Sequence, residues 1–147
     1  MVKTINSKNF RPYGRVIEYP KKHLKSNKRN FFRIVLTENN RYSWRIAYLI
    51  VRDKTISRLE YHPHSFESFE PLHGQNFLYV AKDKNVQLIE CFSLGKPILL
   101  NKEIWHGVVT VTDETEIKLT ENAKVHCVYW SLGFKLPLNK KLGHFNE

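Results

Sequence analysis

A run of short strand-like segments, separated by tight polar turns, constrains this 147-residue chain more than any other feature of its sequence. From Phe31 onward the segments are rich in aromatic and β-branched residues, which favour strands, and no helical period is sustained. About ten such segments at close spacing are typical of a β-sandwich or barrel. The sequence therefore predicts an all-β fold, preceded by one short N-terminal helix over Lys8–Arg11 with Ser7 as its cap.

Residues 1–147 are predicted to form one domain, with a basic loop at about 20–30 and an extended C-terminal arm at about 134–147. The segments Asn76–Ala81 and Val86–Phe92 flank a four-residue polar turn and predict a hairpin. The other predicted strands are Val16–Tyr19, Phe31–Leu36, Arg41–Arg52, Ile56–His62, Phe66–Leu72, Pro97–Leu100, Gly107–Thr112, Glu116–Thr120 and Lys124–Trp130.

The formal net charge of +10 is concentrated at one end of the chain. Residues 1–33 hold ten Lys or Arg and one acid, whereas residues 34–133 hold eleven basic and twelve acidic groups. The basic segment Lys21–Arg29 is expected to be a solvated loop; docking an acidic partner or nucleic acid is the alternative. Nucleic-acid binding is not expected, because no known motif accompanies the charge.

Several functional classes are excluded or disfavoured by the rest of the composition. No apolar run approaches the roughly 20 residues that a membrane helix needs, and the N-terminus lacks the apolar core of a secretion signal. A cytoplasmic protein without membrane contact is expected. Cys91 and Cys127 both lie in apolar segments, which predicts buried reduced thiols rather than a disulfide.

One stretch carries residues that suggest chemistry: Leu59–Gly74, which reads LEYHPHSFESFEPLHG. Strand alternation places Glu60 and His62 on one face, and His64 rejoins that face if Pro63 leaves the chain extended. Past the turn, Glu67 shares a face with Phe69, and in a small barrel it could converge with the other three side chains in the lumen. Imidazole and carboxylate groups suit a divalent transition metal such as Ni, Mn, Fe or Zn. His106 could add a fourth ligand. Surface histidines beside a solvated acidic edge are the alternative, and spacing alone leaves both open.

The stretch Leu59–Gly74 resembles the signature region of the ureidoglycolate lyase family, within the cupin superfamily. That family shows Leu-Glu-Arg-His-Pro, then Gln-Ala-Phe, then Pro-Leu/Met-x-Gly, and this chain matches most of those positions without a gap. Three further landmarks follow the family order: Phe10–Glu18, Asn76–Ala81 and Trp105–His106. The four matching segments follow the order of the family and together span most of the chain.

The resemblance implies a cupin-type double-stranded β-helix, a homodimer, and cleavage of ureidoglycolate into glyoxylate and urea in purine nitrogen salvage. It also implies a divalent metal, nickel in particular, and no organic cofactor. Glu60, His62 and His106 match the polar barrel positions of the family. The chain departs from the pattern at Tyr61, which replaces an Arg, and at Glu67, which replaces the Gln. His64 is additional, and residues 31–44 replace an Asn-x-Gly segment.

These considerations give each candidate residue a predicted role. The metal ligands are His62, His64, Glu67 and His106, and the catalytic residues are Glu60, His62 and His106, with Glu60 or a free histidine as general base. Arg58, Tyr79 and Trp105 are the candidate contacts to a small anionic substrate. An ion pair of Arg58 with Glu60 or Glu67, and core packing of the two aromatic residues, are the alternatives. The rival functions are another metal-dependent small-molecule enzyme and a non-catalytic module that binds a small anion or sugar.

Overall fold

The computed structural model of the chain describes residues 1–19, 34–39 and 41–136. The described part is all-β, as predicted, with eleven strands and a 3-10 turn at Val86–Leu88. The strands are β1 Val2–Thr4, β2 Gly14–Val16, β3 Trp44–Val51, β4 Ile56–Tyr61, β5 Glu67–His73, β6 Asn76–Ala81, β7 Glu90–Ser93, β8 Ile98–Leu100, β9 Trp105–Thr110, β10 Thr115–Asn122 and β11 Val128–Leu136.

The eleven strands form two sheets. The first sheet has the order β1-β7-β6-β9-β4-β11, and the second has the order β2-β8-β5-β10-β3. Within them, β3 to β10 make two four-stranded sets, β4-β9-β6-β7 and β3-β10-β5-β8. That order, with strands passing repeatedly from one sheet to the other, defines an eight-stranded jelly roll, the architecture of cupins. The predicted double-stranded β-helix is therefore confirmed by the strand order itself.

Two apolar clusters hold the sheets in place. The main cluster lies between the sheets and contains Phe10, Phe92 and Ile117, each with a fully buried side chain. Because side chains alternate across a strand, the first sheet also presents a second apolar face outward. This outer cluster includes Leu59 and Trp105 and is closed by residues of β11. The alternation decides which side of each strand can contribute to a site between the sheets.

The turn between β5 and β6 requires a glycine. Gly74 has φ of 78°, and a Cβ at this position would lie 2.3 Å from the backbone oxygen of Glu114. A side chain would thus be both conformationally strained and sterically excluded. The glycine of the signature stretch serves the geometry of the turn.

The predicted hairpin is confirmed in part. β6 and β7 pair antiparallel, but the start of the predicted second strand forms the 3-10 turn at Val86–Leu88. Asn85 explains the difference, because its side chain accepts a hydrogen bond from the backbone N–H of Gln87 and caps that turn.

The predicted N-terminal helix over Lys8–Arg11 is wrong. Asn6 accepts hydrogen bonds from the backbone N–H groups of Lys8 and Asn9, and one helical turn closes from Phe10 N–H to the Asn6 carbonyl. Pro12 has no N–H to continue the series, so the chain turns again toward β2. A pair of consecutive turns replaces the helix.

Other predictions differ at the chain ends and in the cysteines. β11 extends to Leu136, so residues 134–136 are strand and not arm, and residues 34–36 are not strand. Cys91 is buried as predicted, whereas Cys127 is exposed. The basic segment 21–29 and residues 137–147 lie outside the described residues. No described helix is long and apolar enough to cross a membrane.

Candidate metal centre

Three strands bring the candidate ligands together at one end of the space between the sheets. Glu60 of β4 lies opposite His106 of β9 in the ladder of the first sheet. His62 follows directly after β4, and Glu67 begins β5 in the opposite sheet. The four side chains therefore converge from both sheets. Of the set predicted within the signature stretch, Glu60, His62 and Glu67 meet here.

The centre of the cluster is the carboxylate of Glu67. Its Oε2 lies 3.1 Å from His106 Nε2 and 3.3 Å from His62 Nε2. One ligand atom from each of these three residues lies within 4.8 Å of the others, and all three side chains are buried. Two imidazoles and one carboxylate in this arrangement form a compact nitrogen and oxygen donor set.

Backbone carbonyls fix the orientation of both imidazole rings. His106 Nδ1 lies 2.9 Å from the Ile104 carbonyl oxygen, and His62 Nδ1 lies 3.3 Å from the His126 carbonyl oxygen. A carbonyl oxygen can only accept, so Nδ1 donates in both rings. In the neutral imidazole, Nε2 then carries the lone pair that faces Glu67.

The hydrogen bonding of the cluster is incomplete among the described residues. His106 Nε2 and Glu67 Oε2 are buried, and neither has a hydrogen-bond partner of acceptable geometry despite their 3.1 Å separation. Buried polar atoms are normally satisfied, because an unpaired one costs roughly 1–3 kcal/mol. Two acceptors that point at a shared space need a positive charge between them, which a proton on one imidazole or a metal cation supplies. A divalent cation meets that need for all three residues.

The electrostatics of the cluster agree with this requirement. Burial opposes the charged form of Glu67, but the two histidines outweigh it and lower the pKa of its carboxyl to about 2. Burial likewise opposes protonation of His62 and His106, yet the Glu67 carboxylate raises the pKa of both above the usual value. The carboxylate stays ionised, and the cluster attracts positive charge.

A cavity of about 510 Å³ opens beside the cluster, within the size range of small-molecule sites. Glu60 stands at its inner end, with Oε1 3.5 Å from His106 Nε2 and the side chain 38% exposed. A carboxylate that lies beside the cluster and also lines the cavity is placed to exchange protons there. The cavity is lined by Leu49, Ile50, Val51, Arg52, Asp53, Ile56, Arg58, Glu60, Glu67, Phe69, His106, Gly107, Val108, Leu119 and Tyr129.

Two arginines line this cavity, and they differ in their partners. Arg52 pairs with Glu114 at 2.9 Å. The guanidinium of Arg58 lies 4.5 Å from the centre of the Tyr129 ring, and it makes no ion pair with any residue of the described ranges. The ion pair weighed for Arg58 is therefore not observed. Its charge is free to meet an anion.

The remaining sequence candidates lie elsewhere. His64 is exposed after Pro63 and contributes only its backbone carbonyl, which accepts a hydrogen bond from the Asn122 amide at 3.3 Å. Tyr79 and Trp105 are 3% and 6% exposed and belong to the outer cluster on the other face of the first sheet. Core packing, the alternative weighed for both aromatic residues, describes them.

Two residues near the centre were not predicted from the sequence. Tyr129 of β11 lies opposite Glu60 in the ladder and lines the cavity. Cys127 precedes β11, and its sulfur lies within 4.8 Å of ligand atoms of Glu60 and His62. Alternation along residues 127–129 would have paired these two side chains on one face. Only the pairing of β11 with β4 shows which face that is.

Comparison with known proteins yields a partial structural similarity. No family model and no curated protein matches this chain. Solved structures of oxalate decarboxylase from Bacillus subtilis, including one at pH 4.6 and one concerned with its Mn(II) centres, match with 19% identity and a TM-score of 0.47. The match covers 62% of this chain and 24% of theirs, so this chain spans about a quarter of their length. The jelly-roll assignment rests on the strand order of this chain.

Proposed function

We propose that this protein is a divalent-metal-dependent enzyme that acts on a small carboxylate-bearing substrate. The observation that carries the proposal is the convergence of His62 Nε2, His106 Nε2 and Glu67 Oε2, two of which are buried without a hydrogen-bond partner. A single proton on one imidazole can pair with the carboxylate but cannot serve both imidazoles at once. A bound cation satisfies them together.

The donor set limits the kind of metal. Two imidazoles and a carboxylate suit Mn, Fe, Ni or Zn, and such sites leave positions open for other ligands. When bound, the metal would supply a Lewis acid that polarises substrate oxygens and lowers the pKa of a hydroxyl group. His62, Glu67 and His106 would hold it, and the exposed His64 lies outside this set.

The cavity supports binding of a small anion. Arg58 presents a guanidinium in the cavity wall that forms no ion pair within the described part of the chain, and Arg-carboxylate pairs are strong and frequently bidentate. Tyr129 fixes the orientation of that guanidinium through its ring. Glu60 faces the same space from the inner end and is the candidate general base, since it touches His106 and remains accessible.

Ureidoglycolate is the substrate that the sequence resemblance implies, and its chemistry fits these groups. Glu60 would take the proton of the substrate hydroxyl while the C–O bond becomes a carbonyl. The C–N bond breaks, the leaving nitrogen takes back a proton from the protonated Glu60, and glyoxylate and urea result. Arg58 would hold the substrate carboxylate throughout. No oxidant or further reactant is required.

Urea release from ureidoglycolate by the metal-loaded protein tests this reaction. Release that disappears in Glu60→Gln, while metal content is retained, supports the assignment. Bound metal without urea release would indicate a different metal-dependent reaction of a small carboxylate. Absence of both would favour the alternative of a binding module for a small anion or sugar.

The homodimer implied by the sequence resemblance is also a proposal. Among the described strands, β3 is the edge of the second sheet, and it carries an exposed apolar row on its outer face: Trp44, Ile46, Tyr48 and Ile50, between 36% and 64% exposed. An apolar row of this kind on a sheet edge fits coverage by a second copy of the chain. One-domain organisation and a cytoplasmic location also stay predictions.

A further inference from the structure

We propose that Cys127, Glu60 and His62 form an outer cation site that takes thiophilic divalent cations such as Zn²⁺, Cd²⁺ and Co²⁺. The proposal builds on the metal centre through the shared residue His62. It adds a sulfur donor that neither the signature stretch nor the inner set contains. The three ligand atoms lie within 4.8 Å of one another.

The position of Cys127 follows from strand register. Val128 pairs with Tyr61 and Tyr129 pairs with Glu60 in the antiparallel ladder of β11 and β4. Continuing this register by one residue beyond both strands brings Cys127 opposite His62. Alternation then places Cys127 and Tyr129 on the face that carries Glu60 and His62. Two strands thus hold the sulfur beside the imidazole.

The two donor sets differ in chemistry. The inner set of His62, Glu67 and His106 offers nitrogen and oxygen only, whereas the outer set replaces one imidazole with a thiol. Thiolate ligands favour Zn²⁺ and related soft or borderline cations, and carboxylate-rich sets favour Mn²⁺. Because His62 belongs to both sets, the identity of the cation decides whether Cys127 takes part. Cys127 is therefore a determinant of metal selectivity.

The environment of the sulfur is compatible with this role. Cys127 is exposed, so a cation can reach it from solvent, and the Tyr129 hydroxyl lies within hydrogen-bonding reach of it. A tyrosine hydroxyl can donate to a thiolate, so that contact can persist after a cation displaces the thiol proton. Cys91 is buried in the apolar outer cluster of the first sheet and belongs to neither metal-donor set. It is therefore the matched control.

Co²⁺ titration of the full chain tests the proposal by absorption spectroscopy. The expected result is a near-ultraviolet band from sulfur-to-cobalt charge transfer, together with visible bands from the metal itself. Cys127→Ser should abolish the near-ultraviolet band and keep the visible bands, while Cys91→Ser keeps both. Visible bands without the near-ultraviolet band in the wild type would overturn the outer site and leave the inner one standing. Absence of all bands would overturn both.

Alkylation of the wild-type chain gives a second readout that needs no variant. N-ethylmaleimide should modify Cys127 faster than Cys91, and Cd²⁺ should slow modification of Cys127 by about tenfold or more, because a coordinated thiolate is a poor nucleophile. Mass spectrometry of the digested protein assigns the modified residue. An unchanged alkylation rate at Cys127 in saturating Cd²⁺ would contradict the proposal.

Discussion

His106 Nε2 and Glu67 Oε2 lie 3.1 Å apart in the space between the two sheets, and both atoms are buried without a hydrogen-bond partner. The residues come from β9 of the first sheet and β5 of the second, so their approach depends on closure of the jelly roll. The Ile104 carbonyl fixes the His106 ring and directs its lone pair toward Glu67. The ionised Glu67 carboxylate and the His106 lone pair face the same space, and together they attract positive charge.

The metal-free protein should have its highest stability in a defined pH window. The pKa of Glu67 is lowered from 4.5 to about 2. The ionised carboxylate therefore stabilises the fold fully above pH 4.5, and this contribution is lost as the pH falls toward 2. The pKa values of His62 and His106 are raised, so their contribution is present below 6.5 and lost as the pH rises through the raised values. The pKa shift of Glu67 and the pKa shifts of the two histidines arise from the same contacts, so they count as one contribution to stability. Thermal unfolding of the apo protein should therefore show maximal stability between about 4.5 and 6.5.

The variant Glu67→Gln isolates the carboxylate. Each unit of difference between the folded and unfolded pKa corresponds to about 1.4 kcal/mol, so the fall from 4.5 to about 2 corresponds to roughly 3 kcal/mol of stability within the pH window of maximal stability. The variant should flatten the acid limb of the stability profile. The same change at Glu70, which pairs with Lys118 at the surface, should leave that limb nearly unaltered. An unchanged profile in Glu67→Gln would contradict the assignment.

Arg58→Ala should weaken substrate binding without removing metal. Loss of a charge-assisted hydrogen bond of about 1.5–3 kcal/mol raises KM by roughly 10- to 100-fold. Arg52→Ala is the matched control, because Arg52 lines the same cavity but its charge is paired with Glu114. Steady-state kinetics on a small carboxylate substrate and metal analysis of both variants provide the comparison. Equal effects of the two substitutions would exclude a specific role for Arg58.

Gly74→Ala should destabilise the fold strongly. The substitution places a Cβ 2.3 Å from the Glu114 carbonyl oxygen and strains a residue at φ of 78°, which costs about 1–3 kcal/mol before the clash is counted. Gly95→Ala is the control, because a Cβ there meets nothing within 4 Å. Urea denaturation should show a lower midpoint for the first variant and little change for the second. Similar midpoints would show that the turn can relax.

Tyr48→Lys should convert the proposed dimer to a monomer. The substitution puts a charge in the exposed apolar row of β3, where desolvation on association would be unfavourable. Leu88→Lys is the control, because it changes an apolar residue that is 52% exposed on a different part of the surface. It should leave the molar mass of the particle in solution unchanged. Light scattering after size-exclusion chromatography measures both. A monomeric wild-type chain at working concentrations would rule out the dimer.

Strand alternation accounts for what the sequence predicted about the site. The structure places Arg58 and Glu60 in the cavity wall, whereas Leu59 and Tyr61 face the outer cluster. The same rule applied to Trp105, the neighbour of His106, would have placed it on the opposite face from the site. Hydrophobic periodicity is local, and it is sufficient to predict which face of the sheet a side chain occupies within one strand.

Other parts of the site depend on relationships that one strand does not contain. The direction of His64 depends on the turn at Pro63, and the structure leaves this side chain exposed. Cys127 and Tyr129 reach the centre only because β11 pairs with β4 in one particular register. The contribution of β3 to the cavity wall likewise depends on the order of strands in two sheets. Local patterns do not specify such long-range pairing.

Metal content of the purified chain and three variants tests the central claim most directly. Elemental analysis after exposure to Mn²⁺ or Ni²⁺ and gel filtration should give about one ion per wild-type chain with at least one of these metals. His62→Ala and His106→Ala should lose most of that ion, because each removes one donor of the buried set. His64→Ala should retain it, because His64 is exposed and outside the set. Unchanged metal content in both His62→Ala and His106→Ala would contradict the account.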